Sequence, residues 1–189
     1  FWQRRCIMSY YPVLVNKTHL LPFDYIPDDL EEAGIPFCAP PGSEKRLLRR
    51  KASKAAGRLF TQAALDKMGI IGISGYRSYK RQEELYLDAL RRKSSAVAPP
   101  GASEHQTGFA LDLSCPEVNM QLEKSFAETP EGRWLEKHAP LYGFVIRYPK
   151  NKENITGFPW EPWHIRYVGE PLALYLSMTG LTLEEYHNL

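Results

Sequence analysis

A chain of 189 residues with 43% hydrophobic and 24% charged residues has the make-up of one soluble globular domain, whose core needs no disulfide staples. The formal net charge of +2 is too small to argue for a nucleic-acid partner, and no apolar run approaches the length that crosses a bilayer, so no transmembrane segment is expected. Three cysteines, Cys6, Cys38 and Cys115, permit one bridge at most and show no short-range pairing pattern.

The chain opens at Phe1 rather than methionine, which suggests a processed or trimmed product from which a signal peptide or membrane anchor could have been removed. Residues 1–42 carry Pro12, Pro22, Pro27, Pro36, Pro40 and Pro41. Proline fixes its own φ and drives the preceding residue toward extended conformations, so this stretch is expected to be a lead-in that wraps the main domain, 43–189. From Glu44 to Met68 the pattern is helical: Leu48, Ala52, Ala55, Leu59 and Ala63 recur at three- and four-residue spacing, with Ser43 as N-cap and Gly69 as stop. The basic cluster from Lys45-Arg46 to Arg49-Arg50-Lys51 is then the solvated face of that helix.

Ile70–Ile73 reads as a buried strand and Tyr79–Arg92 as a helix capped by Ser78. A loop at Pro99-Pro100-Gly101 leads to a strand over Phe109–Leu113. Helical stretches are expected over Glu117–Glu128 and Glu131–His138, and strands over Phe144–Tyr148 and Trp163–Val168. Helices over Pro171–Met178 and Leu183–His187 close the chain. The order lacks strict β-α-β alternation, which points to an α+β fold with a small antiparallel sheet flanked by helices.

Three segments place polar groups where packing alone has no use for them. In Ser103-Glu104-His105-Gln106-Thr107-Gly108-Phe109-Ala110-Leu111-Asp112, strand alternation puts Phe109, Leu111 and Leu113 on one face and Asp112 on the other. A carboxylate in so apolar a strand is costly to bury without a cationic partner, and His105 is close enough to share it. In Trp160-Glu161-Pro162-Trp163-His164-Ile165-Arg166-Tyr167, His164 faces the same side as Asp112 if the two strands are neighbours. Two imidazoles and a carboxylate suit Zn²⁺, with the fourth tetrahedral position left for water. Glu161 precedes the ligand strand, and Pro162 stiffens the backbone between them. Each piece is weak alone: His105 or His164 by itself reads better as a hydrogen-bonded structural histidine. The third segment contains Arg77, at a strand–helix junction, and Gln82, which shares a helix face with Leu85, Tyr86 and Ala89. Gln82 is thus an inward-pointing amide, read as either a structural hydrogen bond or a donor to substrate.

The segments Ser74–Ser78 (SGYRS), Ser103–Asp112 (SEHQTGFALD), Gly143–Pro149 (GF-x-x-RYP) and Glu161–Gly169 (EPWHIRYVG) resemble the VanY-type D-alanyl-D-alanine carboxypeptidases and the related LD-carboxypeptidases of the bacterial cell wall. The likeness runs from about Leu14 to Leu189, in the same motif order. It implies the small α+β zinc fold shared with Hedgehog signalling domains, with 43–189 as the catalytic domain. It implies His105, Asp112 and His164 as zinc ligands and Glu161 as catalytic base. Arg77, Gln82 and Ser103 match positions that hold the substrate's terminal carboxylate or scissile carbonyl, and Arg77 is also placed to stabilise the oxyanion. The expected activity is removal of the terminal D-alanine from peptidoglycan stem peptides, whether pentapeptide or tetrapeptide. The expected setting is a monomer acting outside the cytoplasm. Alternatives are a peptidoglycan endopeptidase and a non-catalytic zinc-braced cell-wall binding protein. Trp160 stands where the family usually has tyrosine before the glutamate. His19, His138 and His187 lack ligand partners nearby in sequence, while Trp134, Trp163 and Cys115 are read as packing.

Overall fold

The computed structural model describes residues 12–93 and 97–189, so Cys6 lies outside the described residues. Six strands are present among them: β1 (Leu30–Glu32), β2 (Leu47–Arg49), β3 (Ile71–Ser74), β4 (Ala110–Ser114), β5 (Phe144–Tyr148) and β6 (Glu161–Tyr167). The helices are α1 (Arg50–Leu65), α2 (Tyr79–Arg91), α3 (Pro130–His138), α4 (Glu153–Thr156), α5 (Glu170–Thr179) and α6 (Leu183–His187). Strands β1 and β2 form a small hairpin-like pair, and the main sheet runs β3-β4-β6-β5 with every neighbour antiparallel. The α+β expectation holds.

The register of the two inner strands determines where the polar groups meet. Asp112 pairs directly with His164, Leu111 with Ile165 and Ala110 with Arg166. Directly opposed residues share a face, so one side of β4 and β6 is apolar and the other carries chemistry. On the apolar side Phe109, Leu111, Leu113 and Ile165 join Leu48, Ala52, Ala55, Leu59 and Phe60 in one core. The small residues Ala52, Ala55, Ala56 and Ala63 of α1 are all buried in this core.

Two expected helices are corrected. The run from Glu44 does not begin a helix: Glu44–Arg46 is a 3-10 turn that Ser43 caps, Leu47–Arg49 is β2, and α1 starts at Arg50. Pairing with β1 outweighs the helical spacing there, a tertiary override of local pattern. The basic cluster is accordingly not one solvated face. Arg46 pairs with Glu32, Arg50 with Glu31, and buried Arg49 with Asp28 and Asp29, while its guanidinium lies over the Phe109 ring. The stretch Glu117–Glu128 is likewise no helix. It forms 3-10 turns at Pro116–Val118 and Lys124–Glu128, separated by Asn119 and Met120 at φ 51° and 59°, which a right-handed helix does not accommodate. The short elements β1 and α4 are absent from the sequence expectation, and elsewhere the differences are shifts of one to three residues at element ends. The Ser78 cap on α2 is present, its hydroxyl accepting from the Arg81 amide.

Candidate active site and metal centre

His105 reaches the centre from a 3-10 turn, Glu104–Thr107, which ends at Gly108 in the left-handed region (φ 70°). A Cβ there would lie 2.8 Å from both Arg49 and Leu30 side chains, so a residue without one is required by space as well as by φ. From this turn His105 Nε2 lies 3.1 Å from Asp112 Oδ2, and His164 Nδ1 lies 2.9 Å from Asp112 Oδ1. The two imidazoles stand edge to face, centroids 5.0 Å apart. One ligand atom from each of the three residues falls within 4.8 Å of the others, and all three side chains are buried.

The chemistry of the donor set fits a metal ion. His105 Nδ1 sits 2.6 Å from the Gly75 carbonyl, to which it must donate, so Nε2 keeps a lone pair on the side of Asp112. Three convergent, buried donors, one anionic and two imidazole, suit a small divalent cation. Burial works against charge on Asp112, but the two imidazoles outweigh it and hold its carboxyl well below the usual carboxylate range. Burial pushes the His105 imidazole down from its ordinary value. For His164 burial acts the same way, yet its contacts with Asp112 and Glu104 prevail and raise it to about 9. A raised folded-state pKa adds stability below the unfolded value of about 6.5, and that contribution fades as pH rises through about 9. The metal-free protein should therefore lose thermal stability across that interval, which a series of melting curves would show.

Glu161 stands three residues before His164, where a regular pleat turns the side chain to the other face. The pairing of β5 with β6 slips between Ile146 and Tyr148, and Tyr148 meets Glu161. Glu161 Oε2 comes to 4.0 Å from His164 Nδ1. Burial is the main cause that pushes its carboxyl up to about 7.

The centre opens into a cavity of about 290 Å³ lined by all seven residues singled out in the sequence, His105, Asp112, His164, Glu161, Arg77, Gln82 and Ser103. Arg77 donates through Nη1 to Gln82 Oε1 at 2.8 Å, and Gln82 Nε2 donates to the Ala98 carbonyl at 2.7 Å. Both ends of the Gln82 amide are thus engaged within the protein, and its contact with Arg77 orients the guanidinium. Leu85, Val97, Ala98, Leu122, Phe158 and Trp163 give the cavity its apolar lining. Trp163 serves twice, since it also packs against the core. Trp160 is half-buried with the Lys150 ammonium 5.2 Å from its ring centroid.

Gly75 supplies a second close fit. A Cβ on it would lie 2.5 Å from the Leu47 carbonyl oxygen, which is backbone and cannot swing away. Gly75→Ala is expected to cost about 1–3 kcal/mol and to move the carbonyl that orients His105; thermal melts with and without added metal would register both.

Several polar and aromatic residues stand away from the cavity. His138 stacks on Trp134, His19 contacts Asn16, and His187 Nε2 meets the Pro12 carbonyl. Cys115 is fully buried in the core, with Sγ 3.8 Å from Thr129 Oγ1. Glu104, Arg147 and Tyr148 carry no signal of function in the sequence, although all three lie within the family-like motifs. Tyr148 lines the cavity with its ring 5.0 Å from that of His164.

The profile of the family described as D-alanyl-D-alanine carboxypeptidase, VanY, matches residues 45–170. The chain belongs to this family. Among VanY relatives it is similar to YodJ of Bacillus subtilis (strain 168), a carboxypeptidase by name, with 43% identity over 178 residues; these are 92% of this chain but 65% of YodJ. The structure of the LdcB LD-carboxypeptidase, described for its peptidoglycan recognition, superposes with a TM-score of 0.89 at 42% identity, covering 93% of this chain and 84% of LdcB. A mutant VanY D,D-pentapeptidase from a VanB-type vancomycin resistance cassette, in complex with Zn(II), superposes with a TM-score of 0.75 at 32% identity, covering 94% and 99% of the two chains. These VanY-type neighbours share the small antiparallel sheet with flanking helices.

Proposed function

We propose that this protein is a zinc-dependent carboxypeptidase that removes the terminal D-alanine from peptidoglycan stem peptides, acting outside the cytoplasm. The observation that carries the reading is the convergence of His105, Asp112 and His164 within 4.8 Å at the wall of a cavity that also holds Glu161 and Arg77. The Zn(II) complex of a VanY relative supports the choice of ion. His105 would bind through Nε2, His164 through Nδ1 and Asp112 through a carboxylate oxygen.

Zinc bound there supplies Lewis acidity, lowering the pKa of a water from about 15.7 toward ~7 and polarising the scissile carbonyl. Glu161 takes the proton of the attacking water and passes it to the departing amine. A carboxyl poised near neutrality can do both, and burial brings Glu161 to about 7. Arg77, steadied by Gln82, keeps N–H donors for the substrate's terminal carboxylate. Ser103 adds a hydroxyl to the cavity lining. A free C-terminus read by Arg77 distinguishes this reading from an endopeptidase, and a base beside the ligands distinguishes it from a non-catalytic zinc-braced binding protein.

L,D- and D,D-carboxypeptidases both stand among the similar structures, so the tetrapeptide and the pentapeptide are both candidate stems. Zinc-loaded protein should be incubated with defined tetrapeptide and pentapeptide muropeptides, and the products weighed. Loss of one alanine from at least one of the two stems is expected; internal cleavage or no mass change overturns the reading. A second expectation comes from His164. Its contacts with Asp112 and Glu104 favour the protonated form of the metal-free imidazole, so zinc uptake should release protons, measurable by calorimetry in buffers of different ionisation enthalpy.

A further inference from the structure

Behind the ligand cluster lies a buried carboxylate that the hydrolytic mechanism leaves without a role. The Glu104 side chain is fully buried. Its Oε1 accepts from Arg147 Nε at 2.7 Å and lies 2.8 Å from Arg166 Nη1. Its Oε2 lies 3.5 Å from Nε2 of the His164 ring, and neither of these two buried atoms has a hydrogen-bond partner among the described residues. The opposite ring nitrogen, Nδ1, is the one that meets Asp112.

A neutral imidazole has one N–H and one lone pair, so the outer contact decides which nitrogen is free to bind a cation. We propose that Glu104 is the positioning residue of the centre: it accepts the Nε2 proton of His164, fixes the ring's tautomer and rotation, and thereby presents Nδ1 to the metal. A carboxylate in that place also makes the imidazole a stronger donor to the ion. His105 is oriented differently, by the neutral Gly75 carbonyl on its Nδ1, so the two histidines use opposite nitrogens. The two arginines are what let Glu104 stay ionised there without water. Arg147 is itself gripped by Glu184 of α6 through Nη1 at 2.8 Å and Nη2 at 2.6 Å, and Asn16 Nδ2 donates to the same Glu184 carboxylate.

The inference rests on the proposed zinc site, and its test separates the two. Zinc content of the wild type comes first: a chain that takes up no zinc overturns both. On zinc-loaded, nitrogen-15-labelled wild type, His164 should keep a slowly exchanging proton on Nε2, and His105 one on Nδ1. A His164 proton on Nδ1, or a freely exchanging ring N–H, overturns the role of Glu104 while leaving zinc binding intact. This measurement needs no variant and stands even if one fails to fold. Chelator competition then compares Glu104→Gln with Glu184→Gln. Both disturb the same arginine, but only Glu104 faces the imidazole. Glu104→Gln should weaken zinc about 10–100-fold while Glu184→Gln lowers the melting temperature and leaves zinc affinity close to wild type. Equal weakening by both, or none from Glu104→Gln, reduces Glu104 to a counter-ion for the arginines.

Discussion

Replacing Glu161 with glutamine is expected to lower kcat by about 10²–10⁴-fold while zinc content stays at the wild-type level. Glutamine keeps the size and one acceptor oxygen of glutamate but cannot take up the water proton or hand it to the departing amine. The ligand atoms belong to His105, Asp112 and His164, so the ion has no reason to leave. Nor should the fold suffer, because Glu161 is linked to His164 only at 4.0 Å and makes no shorter ion pair among the described residues. Alanine release measured by mass spectrometry, alongside metal analysis of the same sample, separates the outcomes. Turnover above a few per cent of wild type would remove Glu161 from the role of base. Loss of zinc would mean that it belongs to the ligand set.

Arg147→Met should be the most damaging single change to stability, at about 3–5 kcal/mol. The guanidinium is buried to 1% exposure and bridges two carboxylates, Glu104 and Glu184, which hold it well above its ordinary pKa despite burial. Methionine fills much of the volume but leaves both carboxylates buried with a lost partner, and Glu104 then keeps Arg166 as its arginine partner. For a chain of this length the melting temperature should fall by roughly 10 °C. The sign with pH is also fixed. Glu104 is held below the usual carboxylate range because the two arginines overcome its burial, so its stabilising contribution is present above the unfolded value near 4 and disappears in acid. The variant's deficit relative to wild type should therefore shrink as pH falls below about 4. A deficit that is constant with pH would count against the ionic account.

The sequence carried the site further than it carried some of the helices. Alternation alone placed Asp112 and His164 on polar faces, and the antiparallel register supplied the one missing fact, that they are directly opposed. Gln82 was legible as an inward amide from its helical spacing; its engagement with Arg77 and the Ala98 carbonyl is tertiary and was not. Leu47–Arg49 fits a helical pattern as well as a strand, and only the presence of Leu30–Glu32 beside it decides between them. The break at Asn119 and Met120 turns on backbone signs that a run of helix-compatible residues does not advertise. Glu104 stayed hidden for a similar reason. An acidic residue next to a histidine reads as solvated until Arg147 and Arg166, separated from it by some forty and sixty positions, are seen closing over it.

The order β3-β4-β6-β5 leaves Asp112 and His164 on the two interior ribbons, each bonded to a neighbour on both flanks. Amides so placed exchange with solvent only when most of the molecule opens. Stripping and reloading should then behave as docking into a rigid socket rather than as coupled folding, with the same amide-exchange pattern before, during and after a cycle of chelation.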